Sequence, residues 1–286
     1  MKDRNVEYIT KFKEMSKQLI EYGWFPVPYM SGAEFDALYR FCQSIAGNPP
    51  KDNQAKESVK LKINRILTDV VFHPNYRSFY VVRAKEVPHV SKFSHFLERG
   101  ILHYYKQDFL SCTLCLLPAV EGVLLSHFGW QFGSGRKPSQ AKLIDFVRNN
   151  RPETDFPERY EMYAETLANF LEKWILQDTS SVDFETTYLN RHYILHGMGN
   201  EHFYSVEDCH RLILFFDLYI ELLSIENKKY YVFIPTDNLA INIRREYYLS
   251  LIENNPGHKD MIRIEKVLLQ ENDKFIEEKN SPEWTN

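Results

Sequence analysis

The sequence predicts an all-α protein, and three observations support this class. Apolar residues recur at helical spacing along most of the 286 residues. Prolines and glycines separate these stretches, and capping residues stand where several of them begin. Hydrophobic residues make up 44% of the chain and charged residues 26%, a balance that is typical of globular proteins and excludes a disordered or collagen-like one.

Capping residues and helix breakers predict the helix boundaries. In chain order the predicted helices cover residues 3–22, from Ser31 to the Asn48-Pro49-Pro50 stop, about 55–70, about 93–130, 139–149, 157–177, 185–196, 206–225, 238–253 and 259–278. Ser31 with Glu34, and Ser205 with Asp208, have the spacing of a capping box. Pro118 falls inside the longest apolar stretch and is expected to kink or interrupt it, because proline lacks a backbone N–H donor.

Three shorter segments are interpreted separately. Residues 78–82 (SFYVV), after a turn predicted at His73-Pro74-Asn75, fit either a short strand or a buried helical piece. Residues 229–235 (KYYVFIP) fit a strand-like edge. Residues 129–138 (GWQFGSGRKP) form a glycine-containing loop that superficially resembles a dinucleotide-binding loop, but no predicted strand precedes it.

The chain divides into an N-terminal, mostly helical region (1–92), a helical bundle (93–226) and a C-terminal helical extension (227–286). The charged start of the chain lacks the apolar segment of a secretory signal, and the uncharged stretch Phe109–Val120 is too short to cross a bilayer. Four cysteines in a chain of this size argue against a disulfide framework. These features predict a cytoplasmic protein with no membrane partner.

The charge distribution contains one local basic patch. The net charge is −4, yet residues 51–100 carry 10 Lys and Arg against 5 Asp and Glu. The patch comprises Lys51, Lys56, Lys60, Lys62 and Arg65. We interpret it as a solvated helix face, because no broad basic field of the kind that binds nucleic acid accompanies it.

The segment Asn190–Gly197 (NRHYILHG) concentrates groups that can do chemistry. On a helix, His192 and His196 lie four residues apart and share a face, and the long side chain of Arg191 can reach a phosphate near the helix end. Histidine suits proton transfer near neutral pH, and arginine is the natural partner of a phosphodiester oxygen. Together they can cleave an RNA phosphodiester without a metal: one histidine removes the 2′-hydroxyl proton, and the arginine stabilises charge on phosphorus.

Glu121 is a second notable residue, since it lies among Leu116, Val120, Val123 and Leu124. An unpaired carboxylate in such surroundings would be costly. Two interpretations stay open: Glu121 pairs with an arginine or tyrosine of the core, or it faces a cleft near the arginine of the 190–197 segment.

Arg191-x4-His196, with a polar residue directly after the arginine, resembles the R-(polar)-x3-H signature of the HEPN superfamily of helical, nucleotide-binding domains. The surrounding sequence is similar as well. An apolar helix with a central acid (LLPAVEG, 116–122) precedes the tripeptides NRH (190–192) and LHG (195–197), and a long apolar helix follows them. The resemblance covers roughly residues 95–225. It implies that the central region is a HEPN-like antiparallel helical bundle.

The resemblance also implies an activity. Catalytic HEPN proteins are usually metal-independent endoribonucleases that leave a 2′,3′-cyclic phosphate and a 5′-hydroxyl and use no cofactor. They typically act as homodimers, and many are toxins or abortive-infection effectors in bacterial defence. The partners expected here are therefore single-stranded RNA, a second copy of the chain, and an antitoxin or regulatory protein.

Site residues carry over by position. Arg191 and His196 match the signature pair, and His192 occupies the polar position, where Asn or Asp is more frequent. The candidate substrate-binding or orienting residues are Asn190, Glu121 and Tyr193. Some HEPN proteins lack nuclease activity, so the alternative is a non-catalytic scaffold that binds a nucleotide or a protein.

Two metal patterns are less well supported. His192-x3-His196-x5-His202 could supply three ligands, but the zinc-protease pattern needs a glutamate directly after the first histidine, where Tyr193 stands. Cys112-x2-Cys115 lies alone in an apolar helical stretch, which favours cysteines packed in the core. We therefore expect neither a metal nor a cofactor.

Overall fold

The computed structural model describes residues 2–177, 189–191, 194, 205–229 and 238–254. Within these ranges the protein is all-α, as predicted, and contains no strand. The helices are α1 (Lys2–Leu19), α2 (Gly32–Gly47), α3 (Asn53–Phe72), α4 (Pro74–Ala84), α5 (Ser94–Tyr105), α6 (Phe109–His127), α7 (Gln140–Asn149), α8 (Pro157–Phe170), α9 (Val206–Glu226) and α10 (Leu239–Glu253). Short 3₁₀ or π-helical turns cover Ile20–Tyr22, Ser91–Phe93 and Leu171–Ile175.

Local capping chemistry sets several helix ends, as predicted. The Ser31 side chain accepts a hydrogen bond from the backbone N–H of Glu34, whose carboxylate accepts one from the N–H of Ser31. Ser205 and Asp208 form the same reciprocal pair at the start of α9. Gly23 has a φ of 78° and ends the turn that follows α1, in the left-handed region that favours glycine.

In two segments the structure either decides between the predicted alternatives or departs from the prediction. Residues 78–82 lie in α4, so the buried helical piece is confirmed and the short strand is wrong. Pro74, predicted in a turn, is instead the first residue of α4. Proline is tolerated there because an N–H at the first position of a helix has no hydrogen-bond partner within the helix. The long apolar stretch is interrupted at Gln107, with a φ of 60°, after which Asp108 caps α6. Pro118 lies inside α6 and interrupts nothing.

Some predicted elements lie wholly or largely outside the described residues. They are the short helix at 185–196 apart from residues 189–191 and 194, the strand-like edge from residue 230, and the last helix at 259–278.

Helix α9 is the centre of the fold. Almost all of its side chains are buried, and it packs against α3, α4, α6 and α8.

Helix α5 lies along α6, and a Cβ added at Gly100 would sit 2.5 Å from Cδ2 of Leu116. At Gly122 an added Cβ would collide with the Phe93 ring. These close approaches hold α6, which carries Glu121, in a fixed place.

The described helices share one hydrophobic core. It includes side chains of the N-terminal region, such as Phe12 and Leu38, together with Leu116 of α6 and Tyr248 of α10. The proposed division of the chain at residues 92 and 226 stays a prediction.

An ion pair joins α4 to α9 within the core. Arg77 donates hydrogen bonds to both carboxylate oxygens of Asp217, at 2.9 and 2.6 Å, and both side chains are 1% exposed. Tyr29 donates a third hydrogen bond to Asp217, at 2.7 Å. The buried carboxylate is thus satisfied by three donors, which makes its burial tolerable.

His210 of α9 is also buried with partners on both ring nitrogens. Nδ1 lies 3.1 Å from the hydroxyl of Thr68, and Nε2 lies 2.5 Å from the hydroxyl of Tyr104. Burial, with the positive charges of Arg77 and Arg211, lowers the pKa of His210 from 6.5 to about 3. The ring is therefore neutral at physiological pH.

Helix α6 is apolar enough and long enough to cross a membrane, which holds for no other helix in the described ranges. It extends beyond the uncharged stretch Phe109–Val120, because it continues through Glu121 to His127. More than half of it is buried inside the protein, and it packs against α5 and α9, as a core helix does. Cys112 on this helix is buried, which raises the pKa of its thiol, and Cys115 is half-buried.

Candidate functional site

Arg191 lies on a helical turn that buried neighbours anchor. Leu189 and Ile194 are buried on either side of it, and the backbone N–H of Ile194 donates to the carbonyl of Asn190 at 3.2 Å. The side-chain amide of Asn190 donates to the carbonyl of Gln177 at 2.9 Å. These contacts fix the backbone from which the Arg191 side chain extends.

Glu121 bridges Arg191 and a lysine that comes from a different segment. Nη2 of Arg191 lies 2.6 Å from Oε2 of Glu121, and Nζ of Lys137 lies 2.6 Å from Oε1. The side-chain exposures are 12% for Glu121, 20% for Arg191 and 44% for Lys137, so the group reaches from the core to the surface. We call these three residues the Glu121 cluster.

The Glu121 cluster has a net charge of +1, because two cations share one carboxylate. Nε of Arg191 is buried without a hydrogen-bond acceptor among the described residues, but the same holds for Nε of Arg77, Arg159 and Arg211, so it does not by itself mark a ligand site. A phosphodiester carries one negative charge and several acceptor oxygens, so its binding beside Arg191 and Lys137 would neutralise the cluster. The arrangement can thus hold a phosphate and stabilise charge that develops on it.

The structure brings together two of the residues that the sequence singled out. Glu121 contacts Arg191. The arginine that pairs with Glu121 is therefore the arginine of the 190–197 segment. Asn190 is 1% exposed, and its amide is engaged with Gln177, a geometry that suits an orienting role better than direct contact with substrate. Four residues named in the sequence analysis lie outside the described residues: His192, Tyr193, His196 and His202.

Sequence reasoning missed Lys137. It lies in the 129–138 loop, which drew attention only for its superficial resemblance to a dinucleotide-binding loop. One signal could have found it: residues 122–144 contain no Asp or Glu but do contain Arg136, Lys137 and Lys142. Such a run of cations in an acidic chain indicates a surface that faces an anion.

The basic patch of α3 lies at a different place. Lys56 and Lys60 line a cavity of about 690 Å³ between α3, the turn after α1 and the start of α9. Three cations of its wall are paired with acids: Lys60–Glu57, Lys173–Glu21 and Arg211–Asp208. The wall is close to neutral, and it gives no preference for an anion.

Within the described ranges, no group of three or more His, Cys, Asp and Glu side chains could hold a metal ion. Neither a known protein family, nor a curated protein, nor a solved structure matches this chain. The HEPN resemblance therefore stays a prediction that rests on the residues quoted for it.

Proposed function

We propose that this protein is a metal-independent endoribonuclease of the HEPN type. The observation that carries the proposal is the Glu121 cluster, where Arg191 of the R-x4-H pattern projects from an anchored turn with a second cation beside it. Fixed cations at a phosphate are what transition-state stabilisation in phosphodiester cleavage requires.

In the proposed reaction a base takes the proton of the ribose 2′-hydroxyl, and the 2′-oxygen attacks the adjacent phosphorus. The bond from phosphorus to the 5′-oxygen breaks, and that oxygen gains a proton. The products are a 2′,3′-cyclic phosphate and a 5′-hydroxyl. His196 is the proposed general base or acid, and His192 assists or orients it.

The cations have separate parts in this reaction. Arg191 holds the scissile phosphate and stabilises the charge that builds on it. Lys137 adds a second positive charge at the same place. Glu121 is a positioning residue, since it contacts both cations and is too buried to serve as a main contact for RNA.

The proposal extends to the setting of the reaction. The substrate is single-stranded RNA, and the active form is a homodimer in the cytoplasm. The biological role is that of an RNA-cleaving toxin or abortive-infection effector, which an antitoxin or regulatory protein holds in check.

The test is a cleavage assay with purified protein, labelled single-stranded RNA and EDTA. We expect cleavage that survives chelation and fragments that end in a 2′,3′-cyclic phosphate. Arg191→Ala and His196→Ala should each lose about 100-fold or more in rate, with unchanged circular dichroism and elution volume. Arg244→Ala is the matched control, because Arg244 is also ion-paired with a glutamate, at 2.6 Å, and is 22% exposed. Full activity in both site variants would contradict the proposal.

A non-catalytic HEPN-like scaffold is the second candidate, and one observation favours it. The Arg191 side chain is four-fifths buried and already paired with Glu121, as a purely structural arginine would be. In that case the wild-type protein would cleave no RNA, yet would bind a nucleotide or protein saturably. Loss of this binding in Arg191→Ala would support the scaffold.

A further inference from the structure

The loop between α6 and α7 holds an aromatic ring in solvent. Within residues 129–138, which we call the glycine-rich loop, the N–H of Ser134 donates to the carbonyl of Gln131 at 3.0 Å and closes a four-residue turn. Gly133, the third residue of the turn, has a φ of 86°, as a type II turn requires. Phe132, the second residue, stands at the tip and is 98% exposed.

Further contacts within the loop preform this turn. The backbone N–H of Trp130 donates to the carbonyl of Leu125 at 2.9 Å, and its indole N–H donates to the carbonyl of Gly135 at 3.3 Å. The rings of Trp130 and Phe132 meet edge to face, with centroids 6.2 Å apart. Phe132 is therefore presented by an ordered turn, although it adds nothing to the buried core.

A single exposed apolar side chain is ordinary on a protein surface. The residues beside Phe132 therefore decide whether its exposure indicates a binding surface. Arg136 is exposed, Lys137 is 44% exposed, and no carboxylate occurs in residues 122–144 of this acidic chain. The ion pair of Lys137 with Glu121 ties the end of the loop to the Glu121 cluster. Since five residues span at most about 18 Å, the Phe132 backbone lies within a few nucleotides of the proposed cleavage site.

We propose that the glycine-rich loop binds single-stranded RNA beside the cleavage site, with Phe132 stacked on an unpaired base and Arg136 on the phosphate backbone. This inference rests on the proposed function, because it describes how the same site holds its substrate. Surfaces for single-stranded nucleic acid combine aromatic rings, which stack on any base, with cations that follow the backbone. Arg136 is exposed, and residues 122–144 contain no Asp or Glu, so the local positive charge favours such a polyanion over a protein partner.

The experiment measures the binding of a fluorescent single-stranded RNA whose riboses are all 2′-O-methylated, so that no 2′-hydroxyl can attack. We expect Phe132→Ala to weaken binding about tenfold, and Phe132→Trp, which keeps a ring, to retain it. Arg136→Ala should weaken binding and reduce the slope of log K against log salt by about 0.7.

Phe72→Ala is the control variant. Phe72 is 39% exposed and packs on Tyr104 and Tyr105, at the end of α6 opposite the glycine-rich loop. Its replacement should leave RNA affinity unchanged. Urea unfolding of each variant confirms that a change in affinity does not come from a loss of folded protein.

The outcomes separate this inference from the nuclease proposal. Wild-type affinity in both Phe132→Ala and Arg136→Ala overturns the role of the loop, even if the protein cleaves RNA. Binding of methylated RNA that depends on Phe132, without any cleavage of unmodified RNA, supports the loop and contradicts the nuclease. If wild-type protein binds no RNA and Phe132→Ala instead abolishes a protein contact or dimer, the loop proposal is wrong.

Discussion

The carboxylate of Glu121 lies 2.6 Å from the guanidinium of Arg191, and this contact joins core helix α6 to the segment with the R-x4-H pattern. If Glu121 turned away, the guanidinium of Arg191, which is 20% exposed, would lose this counter-ion, which is unfavourable for a largely buried charge. The anchors Leu189 and Ile194 restrict the backbone of Arg191 as well. The guanidinium is therefore held before any ligand arrives, as electrostatic catalysis requires.

Glu121→Gln tests the positioning role proposed for Glu121. The variant keeps the shape of the side chain but removes its charge, so Arg191 and Lys137 lose the group that orients them. We expect kcat for RNA cleavage to fall about 10- to 100-fold. RNA binding should be equal or tighter, because the charge of the cluster rises by one. Steady-state kinetics, with kcat and KM determined separately, measure both effects.

Glu98→Gln is the matched control for this variant. Glu98 of α5 also bridges a lysine and an arginine, with Lys85 at 2.8 Å and Arg244 at 2.6 Å. It lies outside the proposed site, so its variant should keep the wild-type kcat. An equal fall of kcat in the two variants would show that Glu121 acts only through general stability.

The buried pair of Arg77 and Asp217 predicts a large effect on stability. Asp217→Ala leaves the guanidinium of Arg77 in the core without its counter-ion, and Tyr29 loses its acceptor. We expect the free energy of unfolding, measured with urea, to fall by about 3–5 kcal/mol.

A double variant distinguishes the unpaired charge from lost packing. Arg77→Met combined with Asp217→Leu removes both charges and keeps apolar volume, so it should be clearly more stable than Asp217→Ala alone. A double variant as unstable as the single one would assign the loss to packing.

Local chemistry made much of the fold predictable. The boxes of Ser31 with Glu34 and of Ser205 with Asp208 depend on side chains three residues apart, and both form as expected. The break at Gln107 was not predictable, because glutamine rarely adopts the left-handed conformation and neither propensity nor periodicity indicates it there. Pro118 stays inside α6, since burial of the residues around it outweighs one lost hydrogen bond.

The candidate site was predictable in part. Arg191 and Glu121 stood out separately, one through its spacing from His196 and the other as an acid among apolar residues. Their contact depends on the tertiary fold, which neither pattern contains. Lys137 was missed because it lies in a loop, and helical periodicity does not predict which residues of the protein a loop contacts.

Gly100 predicts a packing effect at the contact between α5 and α6. Gly100→Ala would place a methyl group 2.5 Å from Cδ2 of Leu116, so one of the two helices must shift. We expect a loss of about 1–3 kcal/mol in the free energy of unfolding. Gly47→Ala is the control, because nothing lies within 4 Å of its added Cβ, and it should be neutral or slightly stabilising. Thermal unfolding of both variants measures the difference, and equal melting temperatures would contradict a tight contact at Gly100.

His210 predicts a loss of stability in acid. The pKa of His210 is about 3 in the folded protein and 6.5 in the unfolded chain. Between these pH values His210 therefore binds a proton in the unfolded chain but not in the folded protein. The stability that the neutral His210 contributes to the folded protein is fully present above about pH 7. It falls by about 1.4 kcal/mol for each pH unit below 6.5, until the pH approaches 3. Carboxylates also titrate in acid, and a comparison with a variant at His210 removes their share.

His210→Gln offers a donor and an acceptor to Thr68 and Tyr104 but cannot be protonated. Its free energy of unfolding should lie below that of the wild type at pH 7, because the fit in the core is imperfect. At about pH 4.5 the wild type should have lost about 2–3 kcal/mol relative to the variant, since the unfolded wild-type chain alone gains the proton. Urea titrations of both proteins at the two pH values measure this difference. A gap that stays constant would mean that His210 is protonated equally in the folded and unfolded states, and its neutral burial between two hydroxyls would be wrong.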